Sequence, residues 1–286
     1  MGIRQRRLGV HTSIAGGVHL AAQRARDLGC TTMQIFSHNP RQWAVRTPPA
    51  DEAAVFAELR QSFDLTPLFV HTSYLINLAA GDEAVLRKSA ELLGGEMDIA
   101  DLLGADYVVL HTGSSSGTDE TTARKRAIRT LRTVLDRGSW RSRLLLENTA
   151  GERGDISSRI EDLAEIVGET ASPLIGGVCI DTCHAFSAGY DITTQKGLGR
   201  LATDIRGHLG PGSVKLIHLN DSKKGRGSRV DRHEHIGSGG IGTEGLRRFV
   251  NHPAFRDVPL ILETPKKSDE DDRRNLAAVR GLLRAC

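Results

Sequence analysis

The scarcest chemistry in this chain sits at or near the C-terminal ends of short apolar runs. His11, His71, His111, Glu147, Asp181, His218 and Glu263 each fall at such a point. Imidazole and carboxylate are the donors that divalent metals take in catalytic sites, and zinc is well served by the mixture. One histidine at a strand end is ordinarily a hydrogen-bonded structural residue, but a series of them reverses that prior. Two further clusters extend the set. In Asp181-Thr-Cys-His184 the imidazole follows the carboxylate by about one turn, and in Asp231-Arg-His233 two donors alternate across an extended loop, so both can face one ion. The candidate ligands are then His71, His111, Glu147, Asp181, His184, His218, Asp231, His233 and Glu263. A single catalytic zinc needs about three protein ligands plus water, so the set is too large for one ion and suits two or three with a bridging carboxylate. Metals roughly 3.5–4 Å apart are suited to phosphoryl chemistry, which makes a phosphodiester the natural substrate.

The runs that must position these groups read RLGVHTS, TTMQIFS, LFVHTSY, YVVLHTG, LLLENTA, GGVCIDTCH, VKLIHLND and PLILETP. Each is too short for a helix and rich in Val, Ile and Leu, as a strand covered on both faces should be. Between them lie segments of helical periodicity, clearest at Val18–Leu28, Ala84–Leu103, Thr121–Leu135, Ser158–Val167 and Asp272–Leu283. In the second of these, Leu92, Leu93, Ile99, Leu102 and Leu103 are expected on the inner face. Strand–helix alternation repeated about eight times in roughly 250 residues predicts an α/β fold of the (β/α)₈ TIM-barrel type. One barrel domain over residues 1–286 is expected, since no linker or composition break divides the chain. An open doubly wound sheet would place its ligand at one crevice instead of using nearly every strand end.

Composition narrows the function classes. The net charge of +3 does not by itself announce nucleic acid. No stretch is long and apolar enough to span a bilayer, and MGIRQRRLGV lacks both the apolar core of a signal peptide and a myristoylation signal, so no membrane role is expected. Cys30, Cys179, Cys183 and Cys286 show no C-x-x-C spacing, which favours buried free thiols and a cytoplasmic location. Cys183 lies beside His184, but the structural reading is favoured over metal ligation. The glycine string His235–Gly242 follows no predicted strand and lacks the Lys-Ser/Thr of a P-loop, so no nucleotide cofactor is expected. Its glycines are expected to let backbone pass close to the metal site.

The strings HTSYLINLA (71–79), LLLENTAG (144–151), GVCIDTCHAFSAGYD (177–191), HLNDSKKGRGSRVDRHEHIGSGGIG (218–242) and PLILETP (259–265) resemble endonuclease IV. That family comprises the metal-dependent apurinic/apyrimidinic endonucleases of DNA base-excision repair, and the resemblance spans almost the whole chain. It implies a trinuclear zinc site, with Mn²⁺ able to compete at one position. By position, His71, His111 and Glu147 would hold the first ion. Glu147 would bridge to a second, held also by Asp181, His218 and Glu263, and the third would sit on His184, Asp231 and His233. His11, His38 and His235 are not ligands in that pattern. Thr112, His38 and Thr72 depart from residues common in the family at those positions.

The implied reaction is hydrolysis of the phosphodiester 5′ to an abasic site, leaving a 3′-hydroxyl and a 5′-deoxyribose phosphate. Glu147 is the catalytic residue, and 3′-phosphatase and 3′-diesterase activity are expected at the same site. The implied partner is double-stranded DNA with abasic or 3′-blocked sites, acted on by a monomer. Lys223, Lys224, Arg226, Arg229, Lys266, Lys267, Arg41 and Arg46 fall on loops after strands, where cations can pair with phosphates. The run Arg124–Arg132 reads instead as a solvated helix face. Of the loop groups, Lys223 and Arg229 are expected to contact DNA. The resemblance adds that Arg41, Tyr74 and Leu75 enter from the minor groove, a wedge that kinks the duplex and helps turn a nucleotide out. The rival reading is a metal-dependent sugar isomerase or epimerase on a related barrel. It accounts for Glu147, Asp181, His218 and Glu263 but gives Asp231, His233 and the Arg41 and Tyr74 loops no task.

Overall fold

The computed structural model describes residues 6–115 and 117–283; the readings of Met1–Gln5 and of Cys286 lie outside them. In chain order the strands are β1 (Leu8–Val10), β2 (Met33–Phe36), β3 (Leu68–His71), β4 (Tyr107–His111), β5 (Arg143–Glu147), β6 (Ile175–Asp181), β7 (Val214–His218), β8 (Asp221–Ser222), β9 (His233–Glu234) and β10 (Leu260–Leu262). The helices are α1 (Val18–Asp27), α2 (Ala50–Ser62), α3 (Glu83–Leu102), α4 (Glu120–Leu135), α5 (Ile160–Thr170), α6 (Thr182–Ser187), α7 (Gln195–Leu209), α8 (Gly242–Val250) and α9 (Asp269–Leu282). Eight parallel strands pair in the order β1-β10-β7-β6-β5-β4-β3-β2, with helices between them, while β8 and β9 form a small antiparallel ladder. The sheet curls into a nearly closed barrel. Its edges meet at a seam where His11 bridges Gln34 and the Thr12 amide donates to Gln34 O at 2.8 Å.

Side-chain alternation explains how short strands build a site. Phe69, Val109, Leu145, Cys179, Leu216 and Ile261 fill the barrel interior as one cluster, one from each of six adjacent strands. Two residues further along the chain from each, at or just past the strand end, stands His71, His111, Glu147, Asp181, His218 or Glu263. The other strand residues, such as Val70, Val108 and Ile180, face outward into the larger core under the helices. An apolar layer thus forms the floor of a polar layer at the C-terminal mouth, where barrel active sites lie.

Local signals start the helices where that geometry needs them. Asp82 caps α3 by accepting from the Ala84 and Val85 amides at 2.8 and 2.9 Å, and Ser268 with Asp271 forms a capping box on α9. Two expectations are corrected. Leu102 is 44% exposed, because it lies to the side of the α3 stripe that Leu92, Leu93, Ile99 and Leu103 bury. Arg124 is not a solvated residue: it is buried and pairs with Asp162 at 3.3 Å and Glu165 at 2.7 Å. The α4 helix therefore docks its neighbour α5 through charge as well as apolar contact. Among the described residues no helix is long and apolar enough to cross a membrane.

The seam makes one glycine indispensable. A Cβ on Gly9 would lie 2.0 Å from Thr32 O and 3.2 Å from Ile261 Cδ1, so no side chain fits between β1 and its neighbours. Gly9→Ala is expected to lower stability by roughly 1–3 kcal/mol, read as a lower urea midpoint. An unchanged midpoint would show that the seam yields freely.

Candidate metal centre

The structure gathers the nine sequence-selected donors at the barrel mouth: His71, His111, His184, Asp231, His233 and Glu263 line a cleft of about 490 Å³, and Glu147, Asp181 and His218 are buried beneath them. They fall into three groups whose ligand atoms lie within 4.8 Å of one another: His71 with His111 and Glu147; Glu147 with Asp181, His218 and Glu263; and His184 with Asp231 and His233. Glu147 belongs to the first two. Its Oε2 lies 3.4 Å from His71 Nε2 and 3.0 Å from His111 Nε2, while its Oε1 lies 2.9 Å from His218 Nδ1. In the third group His184 Nε2 stands 3.2 Å from Asp231 Oδ2, and His233 Nε2 stands 3.4 Å from Asp231 Oδ1. Donors that share a tetrahedral zinc at 2.0–2.2 Å are separated by roughly 3.4 Å, so these spacings fit such an ion. Two buried atoms among them, Glu147 Oε2 and His233 Nε2, have no hydrogen-bond partner. A buried polar atom without a partner is costly, and a cation supplies one.

Surrounding groups fix the rings of four of these imidazoles, those of His71, His184, His233 and His218. The Nδ1–H of His71 donates to Thr72 O at 2.8 Å, that of His184 to Asn148 O at 2.9 Å, and that of His233 to Glu263 O at 2.9 Å. Each bond leaves the Nε2 lone pair facing the carboxylates. His218 is reversed: its Nε2–H donates to Gln34 Oε1 at 2.8 Å, so Nδ1 faces Glu147 and Glu263. Fixing one ring nitrogen in this way sets the tautomer that a metal requires. The carboxylates are oriented too. Asn220 donates to Asp181 Oδ2 at 2.7 Å and accepts from the Glu263 amide at 2.8 Å, and Gln34 donates to Glu263 Oε1 at 2.7 Å.

Electrostatics follow from crowding acids and imidazoles out of water. Burial alone would raise the Glu147 carboxyl, but the charges of His218 and His111 hold it well below the usual range. Asp231 is likewise brought down to about 2, against its own burial, by its bond to His184. Burial opposes charge on His184 and His218 as well, yet Asp181 raises the first well above its ordinary value, and the carboxylates of Glu147 and Glu263 raise the second. Without cations the cluster holds protons in their place. Cys179 also lies within ligand distance of Glu147 and His218, and Cys183 of Asp181 and His233; burial pushes both thiols up to about 12.

The DNA-contact candidates lie on loops around the cleft. Arg41 is exposed and Tyr74 is 68% exposed, with its ring 6.3 Å from that of His71. Leu75 is half-buried against the core rather than projecting freely. Lys223 and Arg229 are exposed on the excursion between β8 and β9, where Arg229 takes a left-handed φ of 54° and donates its amide to Ser187 O. Lys266 is corrected: its ammonium is held by Asp269 at 2.9 Å and Asp272 at 2.5 Å and is not a free phosphate ligand. The glycine string wraps Asp221, whose oxygens accept from the amides of Gly239, Ile241 and Gly242; a Cβ on Gly239 would meet Ser222 O at 2.4 Å, so close passage of the backbone there does require glycine. His11 reaches Glu263 at 3.4 Å beside Gln34, and His235 is engaged by Asn275.

Gln34, Asn148 and Asn220 are the residues that sequence reasoning missed. Gln34 is fully buried at an inward position of an apolar strand, and a lone amide there was a readable signal.

Comparison with known proteins gives a consistent set. A family model described as Xylose isomerase-like TIM barrel matches residues 22–286. "Probable endonuclease 4" of Halothermothrix orenii is 41% identical over 265 residues, covering 93% of this chain and 95% of its own length. The protein of that name from Nitratidesulfovibrio vulgaris is 42% identical over 279 residues, covering 97% of this chain and 99% of its own. Among solved structures, endonuclease IV from Thermus thermophilus is 40% identical with a TM-score of 0.85, over 97% of this chain and 98% of that one. A D-psicose 3-epimerase superposes with a TM-score of 0.70 at 13% identity, covering 97% and 99%, a likeness of fold alone.

Two outcomes are expected here. Gln34→Ala, which frees the His218 ring to turn over, should weaken metal affinity about 10–100-fold in a chelator competition; unchanged affinity would remove Gln34 from the centre. The chelator-stripped protein should be most stable between about pH 5 and 7. The raised histidines contribute fully below about 6.5 and lose their contribution as pH rises through their folded values. The lowered carboxylates contribute above about 4 and lose theirs as pH falls. Zinc should abolish the alkaline decline in melting temperature, and a stripped protein that melts identically from about pH 6 to 9 would contradict this.

Proposed function

The chain belongs to the endonuclease IV family, within the Xylose isomerase-like TIM barrels, and on that premise we propose that it is a metal-dependent apurinic/apyrimidinic endonuclease of DNA repair. The observation that carries the reading is the sorting of nine donors into three groups, two of them sharing Glu147. His71, His111 and Glu147 would hold one cation, Glu147, Asp181, His218 and Glu263 a second, and His184, Asp231 and His233 a third. Zinc fits this nitrogen and oxygen set, with Mn²⁺ admissible at one position. When bound, such ions supply Lewis acidity, ionise water near neutral pH and clamp the attacking and leaving oxygens of an in-line displacement.

The chain's own residues do the rest. Glu147, wholly buried and charged, is shared by the first two groups and would set their separation beneath the cleft. Four carboxylates among the nine donors leave three divalent ions with surplus positive charge, which favours a phosphate anion over a neutral sugar. Arg41, Tyr74 and Leu75 would wedge the duplex, and Lys223 and Arg229 would pair with its phosphates. A nucleotide without a base is cheap to unstack, so it reaches the cleft more readily than a normal one. The bond broken lies 5′ to the lesion, yielding a 3′-hydroxyl and a 5′-deoxyribose phosphate. The groups engaged are phosphate oxygens, so 3′-phosphates and 3′-diesters should also be hydrolysed. One barrel domain over residues 1–286, acting as a monomer, carries the whole activity.

The test is incubation of metal-analysed protein with a duplex holding one central abasic analogue, with and without chelator. A nick 5′ to the lesion, about three metals per chain and loss on chelation are expected. Glu147→Gln should keep its fold and lose more activity than the ~10–100-fold typical of outer partners. Full activity in that variant, or aldose–ketose interconversion without nicking, would overturn the reading.

A further inference from the structure

Outside the metal centre, Glu96 of α3 is a fully buried acid that gathers groups from loops. A carboxylate in such a place is costly unless donors surround it, and the donors here come from two separate loops. Both carboxylate oxygens accept from the Ser73 amide at 3.1 Å, on the loop after β3. Its Oε1 also accepts from Ser37 Oγ at 3.2 Å and pairs with His38 Nδ1 at 3.2 Å, at the start of the loop after β2. None of these partners is a candidate metal ligand.

The bonds continue outward from that carboxylate. Ser73 Oγ donates to Pro40 O at 2.7 Å, tying one loop to the other, and accepts from the Leu75 amide at 3.1 Å. His38 Nε2–H donates to Gln42 O at 3.1 Å, and Asn39 Oδ1 accepts from the Arg41 amide at 3.1 Å. Arg41 and Tyr74, both exposed, are therefore held on two short turns whose shared root is one buried acid. The same helix supports the β2 loop twice more. A Cβ on Gly95 would meet Val45 at 3.1 Å, and Lys88 Nζ stands 5.9 Å from the Trp43 ring centre.

We propose that Glu96 is a positioning residue for duplex engagement: it locks the Arg41 and Tyr74 loops to each other and to α3, so that both side chains meet the DNA already placed relative to the cleft. The proposal rests on the endonuclease reading above. Its content is preorganisation: a wedge held in place before binding loses less freedom on contact than one that must be ordered. Small phosphodiesters that reach the cleft without the loops should not sense it.

The experiment compares metal-loaded wild type, Glu96→Gln and Ser73→Ala on two substrates. One is a duplex with an abasic site opposite 2-aminopurine, read both by nicking and by fluorescence. The other is bis(p-nitrophenyl) phosphate. Glu96→Gln should raise KM for the duplex about 10- to 100-fold and weaken the fluorescence rise on binding. Its kcat/KM on the small diester should stay within about two-fold of wild type, with the metal content unchanged. Ser73→Ala deletes the hydroxyl's bonds to Pro40 and Leu75 but keeps the amide that Glu96 accepts, and should show the same split to a smaller degree, so it carries the test should Glu96→Gln fold poorly. Parallel losses on both substrates, or an unchanged duplex KM, would overturn the proposal. A wild-type protein that hydrolyses the small diester but neither binds nor nicks the duplex would instead sink the endonuclease reading, and this inference with it.

Discussion

Glu147 holds a negative charge at the centre of the barrel mouth, fully out of water, within 2.9 to 3.4 Å of three imidazoles from different strands. A buried carboxylate is tolerable only when paired and hydrogen-bonded. The barrel meets that demand by turning histidines inward on β3, β4 and β7, and each of those rings then needs its own far nitrogen settled. Hence the roles of Gln34 with His218 and of the Thr72 carbonyl with His71. The further donors Asp181, Glu263, His184, Asp231 and His233 extend the same pattern of alternating charge. One central acid thus sets the composition of much of the polar layer around it.

The fold and the donor set were legible in the sequence for the same reason. A parallel barrel strand alternates inward and outward, so a His, Asp or Glu that closes an apolar run is placed at the mouth by period alone. That is why His111 and Asp181 could be selected without knowing any distance. The legibility failed where the decisive partner is supplied by tertiary structure. Arg124 reads as one more cation on a charged face, and only the packed fold brings Asp162 and Glu165 of the next helix against it. Lys266 fails likewise, since Asp269 and Asp272 take its charge once α9 begins. The outer-layer amides Gln34, Asn148 and Asn220 were passed over because attention went to ionisable groups, although neutral amides decide how those groups point. The Arg41 and Tyr74 loops could be placed at the mouth from the sequence, but the exposure of Tyr74 and the partial burial of Leu75 could not, since they depend on turns that meet at the buried Glu96.

Not every acid near the mouth is free to act on a cation, and the contrast between Asp221 and its neighbours shows what decides. Asp221 follows His218 by three residues and is as buried as Glu147. Its oxygens, however, are already met by backbone amides of the glycine-rich turn. Glu147 keeps an oxygen with no such partner. Backbone saturation turns one carboxylate into a loop anchor, and its lack leaves the other open.

The seam adds a final point. Strands β3 through β7 and β10, which carry the six strand-borne donors or lead straight into them, are consecutive neighbours in the sheet, while β1 and β2 form its two edges and meet through an isolated bridge. The join between the sheet edges therefore runs between the two strands that contribute no candidate ligand, and the six strand ends that contribute one lie side by side in unbroken pairing. The side chain of Gln34 spans the interior from β2 to His218 and Glu263. One imidazole thus takes its orientation from an edge strand on the far side of the wall, and a change in the placing of β2 would reach the cluster through that single amide.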